Sequence, residues 1–232
     1  MRYYQDVYLK RLNRYGLDYQ SRIQGQRERE FENYLLKTVY LVHFNYNGNL
    51  QPASLERYKQ DYTETQGYLL TRINLKINNG EILDIISQDG SSNKWMIWWL
   101  EKIESSGYNK YVILKMTHQL NWEYKNQSYS QYGYFSGPGT KTISDSVKSN
   151  KDQSVYTENN NLYRFITPIN QNLVKEQYLT VKSNDITEGF VVKDIDIHST
   201  KGISYVSVDP VALREVTTDQ NINNSFWANG GM

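Results

Sequence analysis

The chain has 232 residues, 38% of them apolar and 22% charged, with 26 Lys and Arg set against 25 Asp and Glu. That length suffices for one large or two small domains with a real core, and a net charge of +1 without a basic stripe argues against a dedicated nucleic-acid binder, whose affinity comes mostly from phosphate neutralisation. The absence of Cys excludes disulfides, thiolate catalysis and zinc–thiolate sites together, whereas 21 Tyr and 5 Trp favour strands and contact surfaces.

In chain order, residues 1–37 read as an N-terminal helical arm. Tyr4, Tyr8, Leu12, Tyr15 and Tyr19 recur at spacings of three and four, which gathers them on one helical face. Past Gly25, a second short helix collects Phe31, Tyr34, Leu35 and Thr38 on one side. No apolar h-region follows the N-terminal Met-Arg-Tyr-Tyr-Gln-Asp, and Trp95 to Leu100 is far shorter than a membrane span, so the chain is expected to stay off membranes.

A first β-domain is expected over residues 38–125. Val39 to Tyr46 alternates as a strand and Asn47-Gly48 supplies a turn, while Gln51 to Gln66, with Pro52 and several charges, reads as a loop. Tyr68 to Ile77 returns to strand pattern, and Asn78-Asn79-Gly80 turns into a meander from Glu81 to Trp122. In its last part Val112, Leu114, Met116, His118, Leu120 and Trp122 alternate onto one face, predicted to be core. Alternation also places Trp95, Ile97 and Trp99 opposite Met96, Trp98 and Leu100. A strand apolar on both faces is buried on both, so core plus a subunit interface at Trp98 is the expectation.

Residues 126–161 lose apolar content and read as an extended loop or arm whose Tyr129, Tyr132, Tyr134 and Phe135 call for an ordered contact. A second β-unit follows over 162–209, and 210–232 reads as a flexible tail in which Phe226-Trp227 is the one sticky spot. The plan of strand, turn, aromatic-led strand, Gly turn and Tyr-Val strand over Ile82 to Leu114 recurs over Tyr178 to Val208, which suggests a duplication. The fold class is therefore mainly β, an N-terminal helical segment followed by two small antiparallel barrel or sandwich units.

Catalytic patterns are weak. His43 and His118 sit inside strand patterns, where a satisfied core or rim histidine is the plain reading, and neither a nucleophile elbow nor a Gly-rich phosphate loop occurs. Asp194, Asp196 and His198 share one strand face and form the sharpest metal candidate, but a half-buried strand with a wet outer face has the same pattern. No catalytic residue, metal or cofactor is assigned. Trp95, Trp98, Trp99 and Trp122 keep a sugar-stacking platform open, and with it a carbohydrate-binding module of a phage tail or baseplate. An unrecognised hydrolase is a further alternative.

The stretch from Tyr108 to Trp122, the end of the second unit from Gly202 to Val208 and the opening Arg11-Leu12-Asn13-Arg14-Tyr15-Gly16 together resemble the small β-barrel neck proteins of tailed bacteriophages, of the head-closure or head–tail connector type. The resemblance implies a non-enzymatic virion protein, assembled in the host cytoplasm into a twelvefold or sixfold homo-oligomeric ring between portal or adaptor and tail. DNA would pass through its lumen without sequence readout. Such rings need heterologous interfaces, for which Tyr4, Tyr8, Leu12, Tyr15, Trp98, Tyr129, Tyr132, Tyr134 and Phe135 are the expected contacts.

Overall fold

The computed structural model describes residues 7, 10, 19–57, 65–101, 107–136, 163–183 and 186–213. Its elements are helix α1 (Tyr19–Leu35) and twelve strands: β1 (Leu41–Tyr46), β2 (Asn49–Arg57), β3 (Gln66–Arg72), β4 (Ile82–Ile86), β5 (Ser92–Glu101), β6 (Tyr108–Lys115), β7 (His118–Tyr124), β8 (Gln127–Ser136), β9 (Tyr163–Pro168), β10 (Tyr178–Ser183), β11 (Ile186–Asp196) and β12 (Ile203–Val211). The protein is mainly β, with one described N-terminal helix and two six-stranded antiparallel barrels, as its residue patterns predict.

Barrel 1 closes in the order β1-β2-β3-β6-β5-β4 and barrel 2 in the order β10-β11-β12-β9-β8-β7. Read around the ring from β7, the second order is β7-β8-β9-β12-β11-β10, so each strand of one barrel has a counterpart six strands later in the other. The duplicated plan seen in the sequence is β4-β5-β6 against β10-β11-β12. Each copy even carries a bulge in the same pairing, between Ile97 and Trp99 where β5 meets β6 and between Val192 and Asp194 where β11 meets β12.

Several local readings change. Residues 51–57, the start of the stretch expected as loop, belong to β2, and Pro52 is tolerated because it lies opposite His43 of β1 while β3 pairs only from Ser54 onward. Asn47 and Gly48 have φ of 51° and 78°, the two left-handed residues of a tight hairpin. Lys125 and Asn126, at 50° and 59°, do the same between β7 and β8. That second hairpin makes Gln127–Ser136 a full strand, hydrogen-bonded to β7 and β9, where an arm was expected.

Barrel 1 is filled by Val42, Phe44, Ala53, Leu69, Leu83, Ile85, Trp95, Ile97, Tyr111 and Ile113. Barrel 2 is filled by Leu120, Trp122, Phe165, Leu179, Val181, Phe190, Val192, Val206 and Val208. Between them lies a third apolar layer: Met96, Trp98, Val112 and Leu114 from the outer face of barrel 1, and Tyr134, Ile166 and Ile203 from barrel 2. The face from Val112 to Trp122 is thus buried except at the half-buried His118, and it passes from the outside of one barrel to the inside of the next. The bulge at Trp98 turns Trp99 opposite Val112, onto the outer side and not beside Trp95 and Ile97.

This seam carries polar locks as well. The Trp98 indole N–H donates to the Tyr205 hydroxyl at 2.8 Å, and the Gln66 amide donates to the Tyr134 hydroxyl at 3.2 Å. Turns from the two barrels also abut, since a Cβ on Gly202 would lie 2.3 Å from the Asn79 carbonyl oxygen. Helix α1 covers a neighbouring flank of barrel 1, with Phe31 and Leu35 on Leu70, and Glu32 bridges Arg72 through two hydrogen bonds of 2.6 and 3.0 Å.

Gly202 and Gly90 have nearly the same φ, 85° and 82°, but only Gly202 touches another segment. Gly90→Ala is expected to cost about 1 kcal/mol, the left-handed penalty alone, and Gly202→Ala at least ~2 kcal/mol because the turns must separate. Urea unfolding of both variants checks this, and equal losses would mean that the turn contact contributes nothing.

Candidate functional site

The residues singled out in the sequence fall into four groups. Tyr4, Tyr8, Leu12 and Tyr15 lie outside the described residues. Trp98, 3% exposed, is corrected from a subunit contact to an intrachain one, because the second barrel of the same chain covers it. Tyr132 and Tyr134 point from β8 toward barrel 1, where the Lys94 ammonium sits 5.3 Å from the Tyr132 ring centre and Tyr134 is 2% exposed. Tyr129 and Phe135 point the other way, into barrel 2, with Tyr129 stacked on Trp122 at 5.8 Å. The arm assignment of these four aromatics is corrected with them: they lie in β8, which pairs with β7 along its length and with β9 over Tyr134–Ser136.

The sugar platform is likewise corrected. Trp95, Trp98 and Trp122 are 5%, 3% and 2% exposed, each packed in a different apolar layer, so they share no open surface. Asp194 and Asp196 do share the outer face of β11, but the Asp196 carboxylate is taken by the His198 and Ser199 backbone N–H groups and the Ser199 hydroxyl, which close the turn after the strand. Those bonds hold its pKa below the ordinary aspartate range. Among the described residues no group of three or more His, Asp or Glu side chains comes together as a metal site, and no helix is long and apolar enough to cross a membrane.

Among the singled-out residues that are described, Phe135 lies at an open site. At this end of barrel 2 the described part of β9 begins at Tyr163, opposite Val208, and β12 runs on to Val211, paired with β11, with Pro210 opposite Phe190. Here lies a recess of about 350 Å³ lined by Phe135, Tyr163, Phe190, Glu188, Val211 and Leu213, together with Gly189 and Pro210.

Its floor is a near-equilateral triangle of rings. Phe135 stacks on Tyr163 with centres 5.8 Å apart, and Phe190 lies 6.4 Å from Phe135 and 6.3 Å from Tyr163. Phe165 supports them from inside the barrel, 5.0 Å from Phe135 and 5.6 Å from Phe190. Rings this close fill the triangle themselves, so a ligand would lie on top of them. Phe135 and Tyr163 are half-buried and Glu188 is exposed on the rim. Sequence reasoning missed Tyr163, Glu188 and Phe190, which reach the recess only through strand pairing.

A second recess, of about 310 Å³, lies between α1 and barrel 1 around Glu28, Phe31, Glu32, Arg72, Ile73, Asn74 and Gly107. Its charges answer one another: the Arg72 guanidinium holds the Glu32 carboxyl below the usual range. It serves the helix contact and offers little to a ligand.

No family model matches the chain, and no curated protein matches it. Among solved structures it is similar to K. pneumonia MrkH in complex with c-di-GMP, at 12% identity and a TM-score of 0.25 over 88% of this chain and 94% of that one. It is similar also to that protein's apo form, at 10% and 0.25 over 87% and 94%. A third match is the Bacillus subtilis inhibitor of motility MotI/DgrA, at 7% and 0.24 over 83% and 97%. At such identities and scores no ligand or role passes to this chain. The expectation of a phage neck ring, and of a tail or baseplate module beside it, is corrected here: the reported matches are to a transcription regulatory factor and a motility inhibitor, and none is a phage component.

One histidine sits beside the recess floor. The His118 ring lies 5.3 Å from Phe135 and 6.1 Å from Phe165, its Nδ1 is 2.7 Å from the Thr117 hydroxyl, and burial lowers its pKa. The unfolded chain then takes up a proton that the folded one resists. The stability is full above the ordinary histidine range and is lost as pH falls through that range toward the lowered folded value. His118→Gln is expected to remove this loss, so the stability difference between wild type and variant should narrow or reverse from pH 7 to pH 5 in chemical denaturation. A difference independent of pH would contradict the assignment.

Proposed function

We propose that this chain is a binding protein and not an enzyme, and that the recess at the end of barrel 2 receives an aromatic side chain, tryptophan above all, from a polypeptide. The observation that carries this reading is the ring triangle of Phe135, Tyr163 and Phe190 under an open recess with one carboxylate, Glu188, on its rim. Aromatic faces supply area, and a rim acceptor suits the one donor that an indole presents. About 350 Å³ lies at the small end of ligand sites, the scale of a side chain and not of a large cofactor.

Among the described residues the lining offers a phenol and a carboxylate at its edge, apolar groups elsewhere and no cation. Anionic ligands are therefore disfavoured at this position. The rigid scaffold behind the recess, two barrels locked through a shared apolar layer, suits a module that presents a preformed surface.

Covering one ring contributes about 1.5–3 kcal/mol, so an isolated side chain is expected to bind with a dissociation constant of roughly 10–100 mM. Titration with N-acetyl-tryptophanamide should shift the amide resonances of Gly189, Phe190 and Val211. Val211→Asp should weaken binding by about tenfold or more, through an unpaired charge at the lining, and the exposed Glu188→Gln by a few-fold. The c-di-GMP present in the MrkH complex is anionic and serves as the control expected not to bind here. Shifts elsewhere, or none at roughly 100 mM ligand, would remove the reading.

A further inference from the structure

Three turns of the described chain join an Asn or Asp to a glycine: Asn47-Gly48, Asn79-Gly80 and Asp89-Gly90. The glycines have nearly the same left-handed φ, 78°, 83° and 82°, but their surroundings differ. The Gly80 N–H donates to the Ile97 carbonyl at 2.8 Å, and a Cβ on Gly80 would collide with the Gly202 carbonyl, so this turn is pinned by β5 and by the other barrel. The Gly90 N–H donates to the Ser87 carbonyl at 3.0 Å. Beside it the Asp89 carboxylate accepts from the Ser91 N–H and hydroxyl at 2.9 and 2.7 Å, bonds that hold its pKa below the ordinary aspartate range. Gly48 lacks such restraints. Among the described residues no acceptor meets its N–H, and nothing lies within 4 Å of the place a Cβ would take. Asn47, Gly48 and Asn49 are all exposed at the tip of the β1–β2 hairpin, and the Asn49 amide donates to the main-chain carbonyl of Asn47, not to its side chain.

We propose that Asn47 is a site of spontaneous covalent modification, at which the Gly48 backbone nitrogen attacks the side-chain amide carbon of Asn47. The N–H proton goes to solvent base, the new N–Cγ bond closes a five-membered succinimide, and the Cγ–Nδ2 bond breaks to release ammonia. Water then opens either carbonyl of the ring, so one water is consumed and one ammonia released. Glycine permits the attack because it has no Cβ to crowd its nitrogen. Opening at one carbonyl leaves aspartate, and opening at the other leaves isoaspartate, whose backbone runs through the side-chain carbon and is one carbon longer. The two products differ in consequence. Asp-Gly is itself a favoured pair for a two-residue hairpin, so β1 and β2 keep their register, with Tyr46 opposite Asn49 and Val42 opposite Ala53. The isoaspartyl form lengthens a loop whose length fixes that register, and it loosens the strand pair that carries Phe44 and Ala53 into the core of barrel 1. Either product replaces a neutral amide by a carboxylate and lowers the formal net charge of +1 by one.

Incubation of the folded full chain in mildly alkaline buffer, followed by site-resolved peptide mapping, tests this and separates Asn47 from the Asn-Gly pair at 229–230, which lies outside the described residues. Amide loss at Asn47 should be at least ~5-fold faster than at Asn79, the factor set by the one hydrogen bond that Asn79-Gly80 must break first. In concentrated urea the two rates should converge, because the sequences at both sites are Asn-Gly and the folded turns are gone. Both aspartyl and isoaspartyl products should appear at 47. The isoaspartyl fraction, separated by ion exchange, should unfold at lower urea than the parent, whereas Asn47→Asp should unfold close to it. Gly48→Ala should slow amide loss at Asn47, and because that variant is strained at its φ, its rate is also compared with the parent in urea, where strain plays no part. An intact Asn47 in the folded chain, a rate there equal to or below that at Asn79, or a difference between the sites that persists in urea overturns the proposal.

Discussion

The apolar layer shared by the two barrels is the constraint on which the remaining structure depends. Met96, Trp98, Val112 and Leu114 lie on the outside of a closed barrel, where water would meet them, and only the second barrel removes them from it. Each such side chain contributes about 1.5–3 kcal/mol when fully covered. Area alone does not fix an orientation, because apolar contact has no direction. Direction comes from the Trp98 indole on the Tyr205 hydroxyl, from Gln66 on Tyr134, and from two glycine turns too close for any side chain. Tyr205 lies in β12 and Tyr134 in β8, strands that continue toward the recess, so the locks that orient barrel 2 also set the strands that frame it.

The barrel interiors complete this arrangement. Tyr111 brings a hydroxyl into barrel 1, and the structure meets its needs with the Leu75 carbonyl as acceptor and the Ile77 N–H as donor. Burial raises its pKa, so it stays a neutral phenol. Trp122 does the equivalent in barrel 2 by donating to the Asn172 carbonyl at 2.9 Å. In both cases a large ring fills the barrel while its polar atom ties down a neighbouring loop, which explains how an aromatic-rich chain avoids orphaned polar groups.

Much of this was readable from residues alone. The hairpin at Asn47-Gly48, the apolar face of α1 around Phe31 and Leu35, and the recurrence of Ile82–Leu114 in Tyr178–Val208 are local patterns, and the folded chain keeps them. Other features were hidden for physical reasons. Pro52 looks like a strand breaker unless one knows that β3 does not yet pair at that level. Lys125-Asn126 lacks the glycine that marks a tight turn, and missing it turned β8 into an arm. Two-faced apolarity in Trp95–Trp98 says that both sides are covered without saying by what, and the cover proved to be the same chain. The recess was least legible: Phe135, Tyr163 and Phe190 come from three strands, and each alone is an ordinary strand aromatic.

The two copies join through unlike faces. Barrel 1 offers the outer face of β5 and β6, and barrel 2 answers with the outer face of β8 and β9 and the start of β12. The contact is thus heterologous, the kind that would extend without limit if every barrel displayed both faces. Neither free face is left sticky. The β5–β6 face has its counterpart in β11–β12 of barrel 2, where Lys193, Asp194 and Asp209 stand in place of Trp98, Trp99 and Leu114 and Lys193 lies 3.7 Å from Asp209. The β8–β9 face has its counterpart in β2–β3 of barrel 1, and there α1 lies across it, with Tyr34 on Ser54 and Phe31 and Leu35 on Leu70. A charged face at one end and a helix at the other are the devices by which repeat proteins terminate. With both lateral faces covered in this manner, the recess over Phe135, Tyr163 and Phe190 lies at a barrel end, away from the face that joins the two copies.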